Sequence, residues 1–166
     1  MIGVAIVTLL TLSAVGSLLW ALPTKADRRR AAMRTDAMRM GLSVTTLSVP
    51  DTSDRGRIDN KRRLVTLYKK RSRQAPSVPP FTVLRSPGEC GYGLPDGWVW
   101  EDPSYRLQGK TRQRLEALLD GFPDWLEIVS VMSDGLAVGF NERRGDDQVS
   151  QVKSLLDEHF SVFFMK

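Results

Sequence analysis

The sequence contains one histidine and one cysteine, the side chains most often used as general bases and nucleophiles near neutral pH. His159 lies beside a row of apolar residues, and its neighbour Glu158 would point in another direction on a helix. Cys90 lies in the glycine-rich segment 88–93, without a basic neighbour that would lower the pKa of its thiol. That segment also lacks the G-x-G-x-x-G spacing of a phosphate-binding loop. We therefore predict no catalytic, metal or cofactor site and a protein that is not an enzyme. An enzyme without a readable motif is the alternative.

Clusters of lysine and arginine are the clearest functional signal in the sequence. They form three runs, at residues 28–30, 61–63 and 69–73. Near a bilayer each basic side chain gains about 1 kcal/mol from anionic lipid. We expect lipid contact from four arginines that follow soon after the apolar start of the chain, Arg28, Arg29, Arg30 and Arg34. We expect partner contact from the second run, which consists of Lys61, Arg62 and Arg63.

The net charge of +5 is divided unevenly along the chain. Residues 25–85 carry 16 basic and 5 acidic side chains, whereas residues 86–166 carry 8 and 14. This division indicates that the two parts differ in the charge of the partners they favour.

Aromatic residues with a polar end surround the end of the glycine-rich segment. Trp98, Trp100 and Tyr92 belong to residue types that are enriched in protein interfaces. The same types also occur in cores where a loop joins a sheet. We name Trp98 and Trp100, with Tyr92, as a candidate partner-facing patch, and core packing as its alternative.

The elements that must position these side chains begin with a long apolar stretch. Residues 2–22 carry no charged side chain, and a helix of this length rises about 31 Å, the thickness of a bilayer core. Arginines follow directly, which predicts that this flank stays in the cytoplasm. We expect a transmembrane anchor over residues 1–23, with one span, the N-terminus outside and the remaining chain inside, at the cell's inner or plasma membrane. A cleaved signal peptide is the alternative, which the lack of a preceding basic residue disfavours.

Beyond this anchor, the sequence predicts a basic juxtamembrane helix over residues 24–41. Thr24 and Asp27 have the spacing of a capping box, and Gly41 is a suitable helix end. A small α+β domain is expected over residues 42–166. Its polar segment near 51–60 and its basic, then proline-rich segment near 70–80 are expected to be flexible.

Within that domain, runs rich in β-branched and apolar residues predict strands at 42–49, 63–69, 81–84, 98–100, 125–132 and 136–141. Helical spacing predicts a helix over 108–120 and a last helix near the end of the chain. The expected fold class is therefore α+β, with one N-terminal transmembrane helix followed by a small antiparallel sheet packed with two or three helices.

The function that these patterns favour is a single-pass, membrane-anchored interaction or accessory protein of unknown process. Its expected partners are the membrane and another protein. The alternative is a module that binds anionic lipid or nucleic acid through the three basic runs. Nucleic acid is the less favoured ligand, because few aromatic side chains are interleaved with those runs.

Overall fold

A computed structural model of the chain describes residues 3, 13, 23–142 and 148–164. The chain divides into two compact units, Met1–Ala32 and Met33–Lys166. In the first unit, the backbone N–H of Asp27 donates to Thr24 Oγ1, and the backbone N–H of Thr24 donates to Asp27 Oδ2, both at 3.2 Å. This reciprocal pair confirms the predicted capping box at the start of the first helix described below.

The described residues form four helices and six strands. In chain order they are α1 (Lys25–Arg39), β1 (Ser43–Pro50), α2 (Asp54–Ile58), β2 (Arg62–Arg71), β3 (Phe81–Arg85), β4 (Trp98–Trp100), α3 (Gly109–Asp120), β5 (Leu126–Met132), β6 (Gly135–Phe140) and α4 (Gln148–Phe164).

The strands form one antiparallel sheet in the order β1-β2-β6-β5-β3-β4. Three pairs join strands that are consecutive in the chain, namely β1–β2, β3–β4 and β5–β6. The β2–β6 and β3–β5 pairings instead join distant parts of the sequence. This order leaves β1 and β4 as the two edge strands.

One face of the sheet packs against the three long helices. The shared core joins Met33 and Ala37 of α1 to Tyr68 of β2, Leu115 of α3 and Val152 of α4. The apolar spacing within each helix accounts for this arrangement, because it places these side chains on one stripe.

The opposite face curls around a second, smaller apolar cluster. Its buried members are Val49, Val65, Leu67, Leu84, Ile128 and Ala137. Gly139 lies among them, and a Cβ at this position would come within 2.7 Å of Leu67 Cδ2. The missing side chain of Gly139 lets neighbouring strands pack closely on the inside of the curl.

The predicted strands and the two later helices are confirmed with small differences at their ends. The predicted end of the first helix is also confirmed, since Gly41 has a φ of 84° and the Leu42 N–H donates to Ala37 O. The polar segment 51–60 holds the short helix α2, which the sequence pattern did not predict. Ser53 caps α2 by accepting a bond from the Gly56 N–H.

The transmembrane part of the predicted fold class is wrong. Within the part of the chain that the structure describes, no helix combines the length and apolarity needed to cross a bilayer. The first long helix, α1, is strongly charged, with six basic and two acidic side chains among 15 residues. The segment predicted to be the anchor, 1–23, lies outside the described residues except for Gly3, Ser13 and Pro23.

Candidate functional site

The two edge strands approach each other, and we call the gap between them the seam. Arg62, at the start of β2, spans it. Its guanidinium donates to Ser48 Oγ of β1 at 3.2 Å, to the Ser48 carbonyl oxygen, and to Glu101 Oε1 beyond β4 at 3.0 Å. Thr52 Oγ1 adds a second link by donating to the carbonyl oxygen of Arg85 at 2.9 Å. The β1–β2 hairpin therefore folds towards the far edge of the sheet.

Backbone groups point into the seam from both edges. The Asp51 N–H donates to Lys61 O, so the alternate residues of β1 that precede it bond to β2. The remaining residues, Val44, Thr46 and Ser48, direct their N–H and C=O groups away from β2. On the other side, the Glu101 N–H donates to Thr82 O. The backbone of Trp100 therefore points away from β3 and towards the seam.

The larger cleft of the seam has a volume of about 610 Å³. One wall comes from the hairpin connection, with Pro50 and Thr52, and the facing wall comes from Val99 and Trp100. The glycine-rich segment closes one end with Cys90, Gly91 and Tyr92, and the lining also includes Asp51, Arg57, Leu84, Glu89, Glu101, Pro103 and Arg106. Volumes of this size accept several side chains of a bound segment or a small ligand.

The smaller cleft has a volume of about 480 Å³ and shares Glu101 with the larger one. Leu47 and Met132 supply apolar surface, and Tyr105 supplies an aromatic ring. Its charged lining residues are all acidic, namely Glu101, Asp102 and Asp134. The two clefts thus meet at Glu101, and the smaller one continues over the ends of β3 and β5.

Short backbone bonds hold the glycine-rich segment against β4. The Gly91 N–H donates to Trp98 O at 2.7 Å, and Trp100 Nε1–H donates to Tyr92 O at 3.0 Å. A Cβ on Gly91 would lie 3.1 Å from the Val99 Cα and 3.2 Å from Trp98 O. Glycine at this position therefore allows the segment to lie directly on the strand edge.

Charged side chains form two contacts in the lining of the larger cleft. Arg57 Nη1 lies 2.6 Å from Glu89 Oε1, and the Ser86 hydroxyl donates to Glu89 Oε2 at 2.6 Å. The Ser86 bond and then Arg57 lower the pKa of the Glu89 carboxyl. In the second contact the Arg106 guanidinium lies 4.8 Å from the ring centroid of Tyr92, a residue that is 67% exposed. Tyr92 thus offers an open aromatic surface.

The two candidate reactive residues lie in different environments. The Cys90 thiol donates to Leu94 O at 3.2 Å, and desolvation followed by the Asp96 carboxylate raises its pKa. It therefore stays protonated near neutral pH. His159 belongs to α4, where its ring packs on Phe122 at 5.5 Å. Among the described residues, no group of histidine, cysteine and carboxylate side chains could hold a metal ion.

Most side chains of the second and third basic runs form ion pairs with carboxylates. Their N···O distances are 2.6 Å for Lys61–Asp59, 3.0 Å for Arg62–Glu101, 2.9 Å for Arg63–Glu127, 2.7 Å for Lys69–Asp134 and 2.6 Å for Lys70–Asp157. These pairs neutralise much of the positive charge that the sequence concentrates there. Arg62 is the member of the second basic run that spans the seam.

The arginines predicted to contact lipid lie on α1. Arg28 and Arg29 are exposed, and Arg30 Nη1 lies 3.5 Å from Asp27 Oδ1. Arg34, in the second unit, donates to both carboxylate oxygens of Glu142, at 2.7 and 3.0 Å. This bidentate pair binds the Arg34 side chain to the folded domain.

Trp98 and Trp100 are 2% and 5% exposed, respectively, and both belong to the main core. Trp100 still lines the larger cleft, whereas Tyr92 presents the exposed aromatic ring. The sequence did not single out Arg57, Glu101 or Arg106, since only the pairing of distant strands brings them together. The one sequence feature that could have pointed to this site was the high proline and glycine content of residues 87–97.

No protein-family model, curated protein or solved structure matches this chain.

Proposed function

We propose that this protein binds another protein by holding an extended segment of that partner in the seam. The observation that carries the proposal is the pair of clefts, of about 610 and 480 Å³, that share Glu101 and are both lined by residues of the edge strand β1. A groove bounded by the outward-facing backbone groups of an edge strand suits an extended peptide better than a compact ligand. The exposed ring of Tyr92 provides an anchor of the kind that dominates protein interfaces.

The pairing of basic side chains supports a protein partner over a polyanion. Lys61, Arg63, Lys69 and Lys70 already contact carboxylates. A phosphate-rich ligand would have to displace these carboxylates before it gained the contacts that govern nucleic-acid affinity.

A display selection tests this function. Random nonapeptides are selected on the full chain, and the enriched sequences are synthesised with a fluorescent label. We expect fluorescence anisotropy to give a Kd below about 100 μM, a range typical of short peptide ligands. Tyr92→Ala should weaken binding about tenfold, because it removes an exposed anchor from the cleft.

The matched control is Ile58→Ala. Ile58 is 83% exposed and is not among the residues that line either cleft. Its replacement should leave the Kd unchanged. Failure to enrich any peptide, or an equal loss of affinity in both variants, would contradict the proposed function.

A further inference from the structure

The geometry points to strand addition: we infer that a partner segment pairs with the outer edge of β1 and supplies a basic residue that replaces Arg62 on Glu101. This inference rests on the proposed function and specifies how the partner binds. The occupant is a single extended segment of another protein, with a lysine or arginine among alternating apolar residues.

The edge of β1 is available for pairing. Residues 43–49 carry no charge, and Thr46 and Ser48 are exposed. Val44, Thr46 and Ser48 direct their backbone groups outward, so each can exchange two hydrogen bonds with a new antiparallel neighbour. Pro50 ends the strand at an outward position, where its missing N–H costs no bond to β2. An uncharged edge of this length is a template for another strand.

Arg62 blocks this edge at one point. Its guanidinium occupies the Ser48 carbonyl oxygen and continues to Glu101. The side chains of Arg62 and Glu101 are 53% and 27% exposed, respectively, so water can replace each partner as the pair opens. The Arg62–Glu101 pair therefore covers part of the β1 edge and can be displaced from it.

Opening the pair leaves a half-buried carboxylate that needs a new cation. Glu101 lines both clefts, and the smaller cleft is also lined by Asp102 and by Asp134, which Lys69 already contacts at 2.7 Å. A basic side chain on the incoming segment would restore the charge balance that Arg62 provides. The apolar residues that flank this basic side chain on the incoming segment would lie on the inner face of the curl, beside Leu47 and Val99.

The arrangement of the seam favours a single incoming strand, and it disfavours the edge strand of a second folded sheet. β1 bounds the seam on one side and β4 on the other, and residues from both strands line the larger cleft. A second copy of this chain would bring β2 along with β1 into that space. Sedimentation should therefore give a complex of one chain and one peptide.

The first test replaces backbone N–H groups of the tightest selected peptide by N-methyl groups, one position at a time. Strand addition requires that methylation weakens binding at every second residue, by about tenfold or more, with little effect between them. Similar losses at adjacent residues would overturn strand addition. Peptides that bind, and still depend on Tyr92, would leave the proposed function in place.

The second test changes the protein. Arg62→Ala should tighten peptide binding by about threefold or more, since the cover is removed, whereas Arg55→Ala on exposed α2 should change nothing. Glu101→Lys should weaken binding, and a peptide with glutamate in place of its basic residue should restore it. Weaker binding by Arg62→Ala, absence of this charge-swap rescue, or dimers of the chain without peptide would overturn the inference.

Discussion

At the residue scale, Glu142 is a nearly buried carboxylate that joins side chains from two other elements of the described structure. It is 9% exposed and accepts bonds from Arg34 and from the Tyr68 hydroxyl, the latter at 2.7 Å. Arg34 also donates to Thr66 Oγ1 at 3.0 Å. This network joins α1 to β2 and to the end of β6, so its polar groups depend on one another.

Replacing Glu142 should therefore destabilise the protein. Glu142→Ala leaves the Tyr68 hydroxyl and part of the Arg34 guanidinium without their acceptor, and we expect a loss of about 2 kcal/mol in the free energy of unfolding. Urea denaturation measures this loss. Glu158→Ala, at a carboxylate whose side chain is 71% exposed, is the control and should change stability by less than about 0.5 kcal/mol. Equal midpoints for the two variants would show that the network contributes little.

The sequence identified candidate residues better than it identified their surroundings. Arg62 and Trp100 do lie at the seam, and Tyr92 is exposed. The sequence could not show that Arg62 reaches Glu101, because 39 residues separate them and only the curled sheet brings them together. Residue type and local spacing carry no information on such long-range pairs.

At the element scale, local signals placed most helices and strands. The Thr24 cap, the Gly41 helix end and the β-branched runs act within a few residues, so they can be recognised in the sequence. Helix α2 was missed because five residues show too little periodicity. The strand order could not be predicted either, since β2–β6 and β3–β5 pair across long stretches of chain.

The curl of the sheet predicts that alanine substitutions at two glycines differ sharply in their effect on stability. A methyl group at Gly139 would press on Leu67 at 2.7 Å, and on Val65 and Ile128 at 3.2 Å. We expect Gly139→Ala to cost about 2 kcal/mol in thermal or urea unfolding, through overpacking. Gly121→Ala is the control, because its Cβ would meet the nearest atoms at 3.7 Å and its φ of −81° suits alanine. If both variants unfold at the same midpoint, the inner face of the curl is looser than these distances indicate.

At the scale of the whole molecule, ion pairs within the protein match part of the uneven charge along the sequence. Seven ion pairs of the described residues join the basic part, 25–85, to the acidic part, 86–166. They are Arg34–Glu142, Arg57–Glu89, Arg62–Glu101, Arg63–Glu127, Lys69–Asp134, Lys70–Asp157 and Arg85–Asp124. The asymmetry therefore reflects in part how two segments complement each other within one domain. The sequence alone suggested external partners for the same charges.

Because of these ion pairs, the free energy of unfolding should depend on pH in the acid range. The pKa of Asp157 is lowered, first by Lys153 and then by Lys70, both at 2.6 Å, and the pKa values of Glu89 and Asp134 are also lowered. A carboxyl whose folded-state pKa is lowered stabilises the protein above its unfolded-state pKa, and this contribution is lost as the pH falls through the folded value. Because the ordinary values are 3.8 for Asp and 4.5 for Glu, the loss should begin below about pH 5.

Urea midpoints measured between pH 7 and pH 2 should therefore fall steadily on the acid side. Asp157→Asn should lower the midpoint at pH 7 and reduce its acid dependence, since this carboxylate links β2 to α4 through Lys70. Asp120→Asn changes an exposed carboxylate for which the described residues supply no ion pair, so it should leave the midpoint at pH 7 unaltered. An acid dependence that is the same in Asp157→Asn as in the parent protein would mean that the ion-pair link between β2 and α4 does not contribute to stability.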